Sequence, residues 1–265
     1  METVTKSYNT WHQFVTDSDQ TNRLNPHRYS SRNYRYGWYG TDTWEEAMYL
    51  AKSGWPEGLR RIRQQVKIIE RFISPRTPRL ELSPSVMGPG MLDFERYTQG
   101  RPDQLLTWSE REDTHGYSTR TVPIVFNCAA SCGVSTETLF HRGAAVCALI
   151  DILEHSRIRV DLTLADKFRD RNVGIFTVRV KKAEEVLDMD RIAFALCNAA
   201  TPRRLMFSIA EQNLPDLSQT YGRPDTYTED GAINLHSASL YIRKEQDMVP
   251  WLIEQLKEFG IEVDD

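Results

Sequence analysis

No apolar run approaches the roughly 20 residues of a membrane-spanning helix, so none of the chain reads as one. The opening residues, METVTKSYNTWHQF, lack a basic and then apolar signal pattern. Cysteine is scarce, with four in 265 residues. Cys128, Cys132, Cys147 and Cys197 all sit among apolar or small residues. That setting predicts free, reduced and mostly buried thiols, as in a cytosolic protein. Cys128 and Cys132 have no second cysteine couple or paired histidine beside them, and the six histidines form no H-x-x-x-H pair. A zinc site therefore lacks ligands. No glycine-rich phosphate loop is present, since Gly88–Gly90 and Gly100 read as loop punctuation. No G-x-S-x-G frame surrounds Ser131. Cys132 and His141 read as an inert thiol and a helical histidine rather than a thiol catalyst. Positive charge is also short. The chain has 33 Lys and Arg against 37 Asp and Glu, a net charge of −4. This balance argues against tight non-specific binding to nucleic acid.

What is there divides near residue 120. Five of the six tryptophans precede it. Residues 1–120 carry a net charge of +2 and residues 121–265 a net charge of −6. The polar stretch SEREDTHGYSTR reads as a linker. Two domains are expected, 1–120 helical and loop-rich, and 121–265 α/β. In the first, Thr43 and Glu46 form a capping box ahead of Trp44, Ala47, Met48 and Ala51 at helical spacing. Gly54 suits the end of that helix and Pro56 the start of the next. SPRTPRLELSPSVMGPG reads as extended, because proline fixes φ and removes a donor.

The second half alternates strands and helices. TVPIVFNCAA is a continuous apolar run, which predicts a strand buried on both faces. Ser135 caps a helix predicted from about Thr136 to His155. RIRVDLTLADKF and VGIFTVRVKKA are strands joined by the short turn DRN, which makes them an antiparallel hairpin. LDMDRIAFALCNAATPRRLMFSIAEQ is helical and broken near Thr201-Pro202. GAINLHSASLY is a strand, DMVPWLIEQLKEFG a helix, and IEVDD a short last strand. Glu137, Asp151, Glu154, Asp161 and Asp166 read as solvated helix and strand ends, with no pair singled out for acid–base work.

This order of elements resembles the von Willebrand factor A-like fold, an α/β, Rossmann-type sheet with one antiparallel strand. In that family the first strand ends in Asp-x-Ser-x-Ser, which grips a divalent cation. Here Asn127 stands in place of the Asp, Ala129 in place of the first Ser, and only Ser131 matches. Thr201 falls where the family's threonine is expected, in a poor local match, TPRR. A hard cation wants anionic oxygens, so neither a metal nor another cofactor is expected. Ligands of open α/β sheets sit beyond the carboxyl ends of the strands. Asn127, Ser131, Ser135, Thr201, Ser237 and Ser239 are therefore the candidate interaction edge. The whole chain also resembles a group of uncharacterised bacteriophage proteins, through YGTDTWEEAMYLAKSGWPEG, NCAASCGVS with RGAAVCALIDILE, and DMDRIAFALCNAATPRRLMFSIAE. That resemblance implies a phage or prophage source and carries over no activity.

One stretch points elsewhere. HRYSSRNYRYGWYG interleaves Arg28, Arg32 and Arg35 with Tyr34, Tyr36 and Trp38. Single-stranded nucleic acid is held by stacking on aromatics beside cations. The same residues also suit docking of one half of the chain on the other. The expected function is a non-enzymatic protein-interaction module with a phage or host partner in the host cytoplasm. The alternative is single-stranded nucleic-acid binding through this arm.

Overall fold

The computed structural model describes residues 2–20, 30–33, 37–69, 80–110, 120–215, 217, 221–259 and 261. Contacts divide the chain into two compact units. One combines Met1–Phe72 with Thr119–Asp265, and the other is Ile73–Ser118. The protein is mixed α/β with a mostly parallel sheet.

In the larger unit the elements run β1 (Thr3–Tyr8), α1 (Trp11–Ser18), α2 (Ser30–Asn33), α3 (Trp44–Ser53) and α4 (Pro56–Ile69). In the smaller unit β2 (Leu80–Ser85), β3 (Met91–Leu92), α5 (Phe94–Thr98) and β4 (Leu105–Glu110) follow. The larger unit resumes with β5 (Thr121–Asn127), α6 (Thr136–His155), β6 (Arg159–Arg169), β7 (Val173–Lys181) and α7 (Met189–Cys197). A π-helical stretch, Thr201–Met206, leads into α8 (Phe207–Asn213). Then come β8 (Arg223–Pro224), β9 (Ile233–His236) and α9 (Met248–Glu258).

The main sheet has the order β1-β7-β6-β5-β9, with β8 paired to the end of β6. β6 and β9 flank β5 in parallel, and β7 runs antiparallel to β6, as the short turn requires. Counted from β5, the order is 3-2-1-4, so the chain switches direction across the sheet between β5 and β9. The edge strand β1 is a part of the sheet that the sequence pattern did not reveal. It pairs in parallel with β7, Thr3 opposite Val173 through Tyr8 opposite Val178. Thr3, Thr5 and Ser7 are exposed, while Tyr8 is buried. Its inward Lys6 is held by Asp17 of α1, which also accepts from the Tyr8 hydroxyl.

β5 is not buried on both faces along its whole length. Thr121 and Pro123 are exposed, and the unbroken burial starts at Ile124. Only the carboxyl half of the apolar run is covered twice. The face bearing Thr121 and Pro123 continues into Asp161 and Thr163 of β6, which are half-buried. The other face carries Val160, Leu162 and Leu164, all fully buried.

The capping signals act as the sequence implies. Ser135 Oγ accepts from Thr138 N at 3.0 Å and Thr43 Oγ1 accepts from Glu46 N at 3.0 Å. α6 is buried from Leu139 through Ile150, so it is the central helix and not a surface one. Gly143 explains how close it comes to its neighbour. A Cβ there would lie 2.2 Å from the Leu196 carbonyl oxygen of α7. One turn on, Cys147 Sγ and Cys197 Sγ are 3.5 Å apart, both buried and free. The expected break at Thr201-Pro202 is the start of the π stretch, where proline supplies no N–H to the ladder.

Residues 111–119 of the linker and 262–265 of the last predicted strand lie outside the described residues. In the smaller unit, β4 is central and pairs antiparallel with β2 and β3. At residues 82 and 84–107, where burial is described, no residue is buried.

Gly143→Ala should destabilise the protein by about 1–3 kcal/mol or more, because backbone and not a flexible side chain opposes the added methyl. Urea denaturation of the two proteins measures it.

Candidate functional site

The carboxyl ends of β5, β6 and β9 meet beside the loop into α6. Asn127 ends β5 and is buried. Its Oδ1 accepts from Ala129 N at 3.1 Å and its Nδ2 donates to the Asp225 carbonyl at 2.8 Å. The amide thus shapes the loop and ties down the segment after β8. Ser237 N donates to the Asn127 carbonyl at 2.8 Å, which extends the β5–β9 pairing by one residue. Ser237 is itself buried, and among the described residues its Oγ has no hydrogen-bond partner. His236, opposite Asn127, has a buried Nδ1 that likewise meets no partner among the described residues, and burial lowers its pKa.

The other edge candidates separate. Ser131 and Ser239 are exposed. Ser135 is spent on the helix cap. Thr201 is fully buried, and its Oγ1 donates to the Phe194 carbonyl at 3.0 Å.

Two buried carboxylates, Asp166 near this edge and Glu154 at the amino end of β6, correct the sequence reading. Asp166 is not a solvated strand end. It is 3 % exposed in the middle of β6, and burial raises its pKa to about 7. By strand alternation it shares a face with Phe126 and Cys128. The thiol of Cys128 is pushed up by burial and by the nearby Asp166 charge. Glu154 is likewise not solvated, for its side chain is 5 % exposed. It pairs with Lys181 at 2.7 Å and Arg159 at 3.0 Å and accepts from Val160 N at 2.9 Å. A lone carboxylate in a strand reads as polar, and nothing local in the sequence marks it as enclosed.

TPRR supplies the strongest feature of the site. Arg203 is 3 % exposed. It donates to the Trp38 carbonyl at 2.7 Å and to the Val134 carbonyl, and its guanidinium lies 4.0 Å from the Trp38 ring centroid. Burial lowers its pKa to about 10. Trp38 Nε1 in turn donates to the Cys132 carbonyl at 2.8 Å. Trp38 and Arg203 therefore close over the loop that leads into α6. Arg204 is fully buried and donates to the carbonyls of Ser31 at 2.8 Å and Thr41 at 3.0 Å, with the Tyr39 ring 4.5 Å away. Ser31 also donates through N and Oγ to Glu211, which the Tyr221 hydroxyl reaches as well. Phe207 and Tyr221 stack at 3.9 Å and 9°.

Of the proposed nucleic-acid contacts, Arg32 and Trp38 are committed within the chain. Arg32 donates to the Ser18 and Gln20 carbonyls and lies 4.5 Å from the Trp44 ring centroid. Arg28, Tyr34, Arg35 and Tyr36 lie outside the described residues. Among the described residues no group of three or more His, Cys, Asp or Glu is placed to hold a metal, and no helix is long and apolar enough to cross a membrane.

A family model described as a domain of unknown function (DUF7192) matches residues 2–263. The chain belongs to this family. No curated protein and no solved structure matches it. The DUF7192 match runs from β1 through α9 and takes in residues 80–110. The edge strand, the sheet and the smaller unit are thus parts of one family pattern.

Two outcomes follow from the buried charges. Asp166 keeps its proton in the folded protein up to about pH 7, whereas the unfolded chain loses it near pH 4. The fold binds more protons in that window, so Asp166 costs stability increasingly as pH rises from 4 to 7. Asp166→Asn should flatten that slope, which is at most about 1.4 kcal/mol per pH unit, and should gain on the parent protein at pH 8. Urea midpoints at pH 5 and pH 8 read it. Arg204→Ala should cost about 3 kcal/mol or more, because the carbonyls it serves lose their donor. Limited proteolysis should then cut near residues 30–42 first.

Proposed function

We propose that the protein works by binding another protein, without catalysis, within a phage or host assembly. The observation that carries this reading lies in residues 80–110. Val86, Met87, Met91, Leu92, Phe94 and Tyr97 are all more than half exposed. Phe94 and Tyr97 are neighbours, with ring centroids 6.4 Å apart. Within this segment Arg96 pairs with Asp93 and Asp103, and Arg101 pairs with Asp103. An apolar surface beside such internal ion pairs suits a protein partner that offers an apolar surface. Methionine adds adaptability to such a contact.

The von Willebrand A-like reading is part of the proposal. The succession β5, α6, β6, antiparallel β7, α7, β9, α9 supports it, and so does the 3-2-1-4 order. The neutral Asn127, bonded to backbone on both sides, supports a metal motif turned to structural use. On this reading the carboxyl edge contributes little to the partner, because Trp38 and Arg203 close over it. The aromatic arm gains no support as a nucleic-acid surface from Arg32 and Trp38, which are engaged internally.

Affinity purification of the tagged protein from its bacterial host, with and without nuclease, tests the proposal. A stoichiometric protein should survive nuclease. Met87→Asp with Phe94→Asp should abolish its recovery and leave the far-ultraviolet circular dichroism of the larger unit's helices in place. Recovery of nucleic acid with loss of all protein after nuclease would overturn it.

A further inference from the structure

A cleft of about 240 Å³ opens in the larger unit, at the amino ends of α3 and α6 and the carboxyl end of α7. Three of its lining residues carry carboxylates, Asp42, Glu46 and Glu137. Glu137 is engaged by Arg61 at 2.9 and 3.0 Å. Asp42 and Glu46 are exposed, and among the described residues neither forms a salt bridge. The Glu46 carboxylate accepts from Asp42 N at 2.8 Å, which leaves acceptor capacity on both side chains. The buried Arg204 beneath feels both charges, yet its guanidinium is spent on backbone carbonyls.

A second and independent feature lies on the cleft floor. Asn198 is 3 % exposed, and its Oδ1 accepts from Ala200 N at 2.9 Å. Asn198 lines the cleft, and among the described residues its Nδ2 donates to none. A carboxamide donor on the cleft floor can serve an acceptor on whatever enters. The wall is aromatic, with Trp55 and Phe140 edge to face at 6.0 Å between centroids. This wall already holds one guanidinium. Arg61 lies 3.9 Å from the Phe140 ring centroid while it pairs with Glu137. Aromatic face plus carboxylate is the arrangement that suits arginine.

We infer that this cleft binds an arginine side chain presented by a peptide segment of the partner. Asp42 and Glu46 take the guanidinium, Trp55 flanks it, and Asn198 Nδ2 donates to a peptide carbonyl. The inference rests on the protein-binding reading for the molecule that carries the arginine. The excess of carboxylate at the cleft disfavours a phosphate-bearing ligand.

The test titrates the full-length, ¹⁵N-labelled protein with the capped tripeptide Gly-Arg-Gly, its Gly-Glu-Gly counterpart, and adenosine monophosphate. The arginine peptide should shift the Trp55 indole and Asn198 carboxamide resonances saturably, and the glutamate peptide should not. Asp42→Asn with Glu46→Gln, which keeps the hydrogen-bonding shape, should weaken the arginine peptide at least about five-fold. Absence of those shifts, equal affinity in the double variant, or equal or tighter binding of adenosine monophosphate would each overturn the inference. A partner protein that still co-purifies while the arginine peptide fails to bind would overturn the cleft alone, leaving the protein-binding reading in place.

Discussion

The guanidinium of Arg204 is a charge with no exposure to water, and much of the larger unit is arranged to make that tolerable. Burying an isolated charge is prohibitive unless its donors are met. Here the backbone carbonyls of Ser31, Thr41 and Asp42 accept from its two terminal nitrogens. Ser31 also turns its N–H and hydroxyl toward Glu211, so one small residue stands between a buried cation and a buried carboxylate. This satisfaction requires Ser31 and Thr41 to lie against the π stretch. Once they do, Thr43 is placed to cap α3, Trp38 falls over Arg203, and Gly40 comes against Asn198 and Ala200. The positive φ of Gly40, 78°, and the 2.6 Å that a Cβ would leave to Asn198 Oδ1 show how close that approach is. The cleft floor and the capped edge of the sheet are both consequences of one buried arginine.

That arrangement changes what the sheet can do. An open α/β sheet ordinarily offers the crevice where its strand order reverses. In this chain the crevice between β5 and β9 is bridged by Asn127 to Asp225 and by Ser237 to Asn127. The loop into α6 is held by Trp38 and Arg203. The buried Asp166, Cys128 and Ser237 beneath it are not poised as a nucleophile and base. Burial raises the pKa of the Cys128 thiol, the direction that removes thiolate. The protein-binding proposal accordingly puts recognition on the rim of α3 and α6 and on the smaller unit, with Ser131 and Ser239 the exposed candidates of the edge.

The sequence shows most of the elements and few of the tertiary roles. α6 was legible to its ends, because Ser135 caps it and its small residues announce a crowded neighbour. The hairpin of β6 and β7 was legible from its short turn. β1 escaped because its inward side chains include Lys6, which a hydropathy pattern counts as polar. Only the fold brings Asp17 to it. Asp166 and Glu154 escaped for the same reason: a charged letter gives no sign of its enclosure. TPRR looked like a poor copy of a metal motif, and its arginines are instead the fasteners of the N-terminal segment. For these arginines the partners are distant in sequence, 165 residues for Trp38 and Arg203 and 173 for Ser31 and Arg204. Local pattern has no access to such pairs.

The two units differ in where their apolar surface goes, and that difference is the physical argument for a partner. The larger unit encloses a continuous core along α6, β5, β6 and β7. In the smaller unit, residues 82 and 84–107 include no buried side chain, yet the unit keeps three paired strands and a capped helix. Three short strands gain little from pairing alone, since water competes for every backbone hydrogen bond. Their side chains are also not those of a solvated linker, which would carry few aromatics and methionines. Met87, Met91, Phe94 and Tyr97 are apolar or aromatic side chains whose burial is worth most when a second surface covers them. The ion pairs around Asp103 act in the same direction, because charges already satisfied need not be matched across a contact. On the proposed reading an apolar partner surface covers these side chains, and their burial there supplies what the short strands lack.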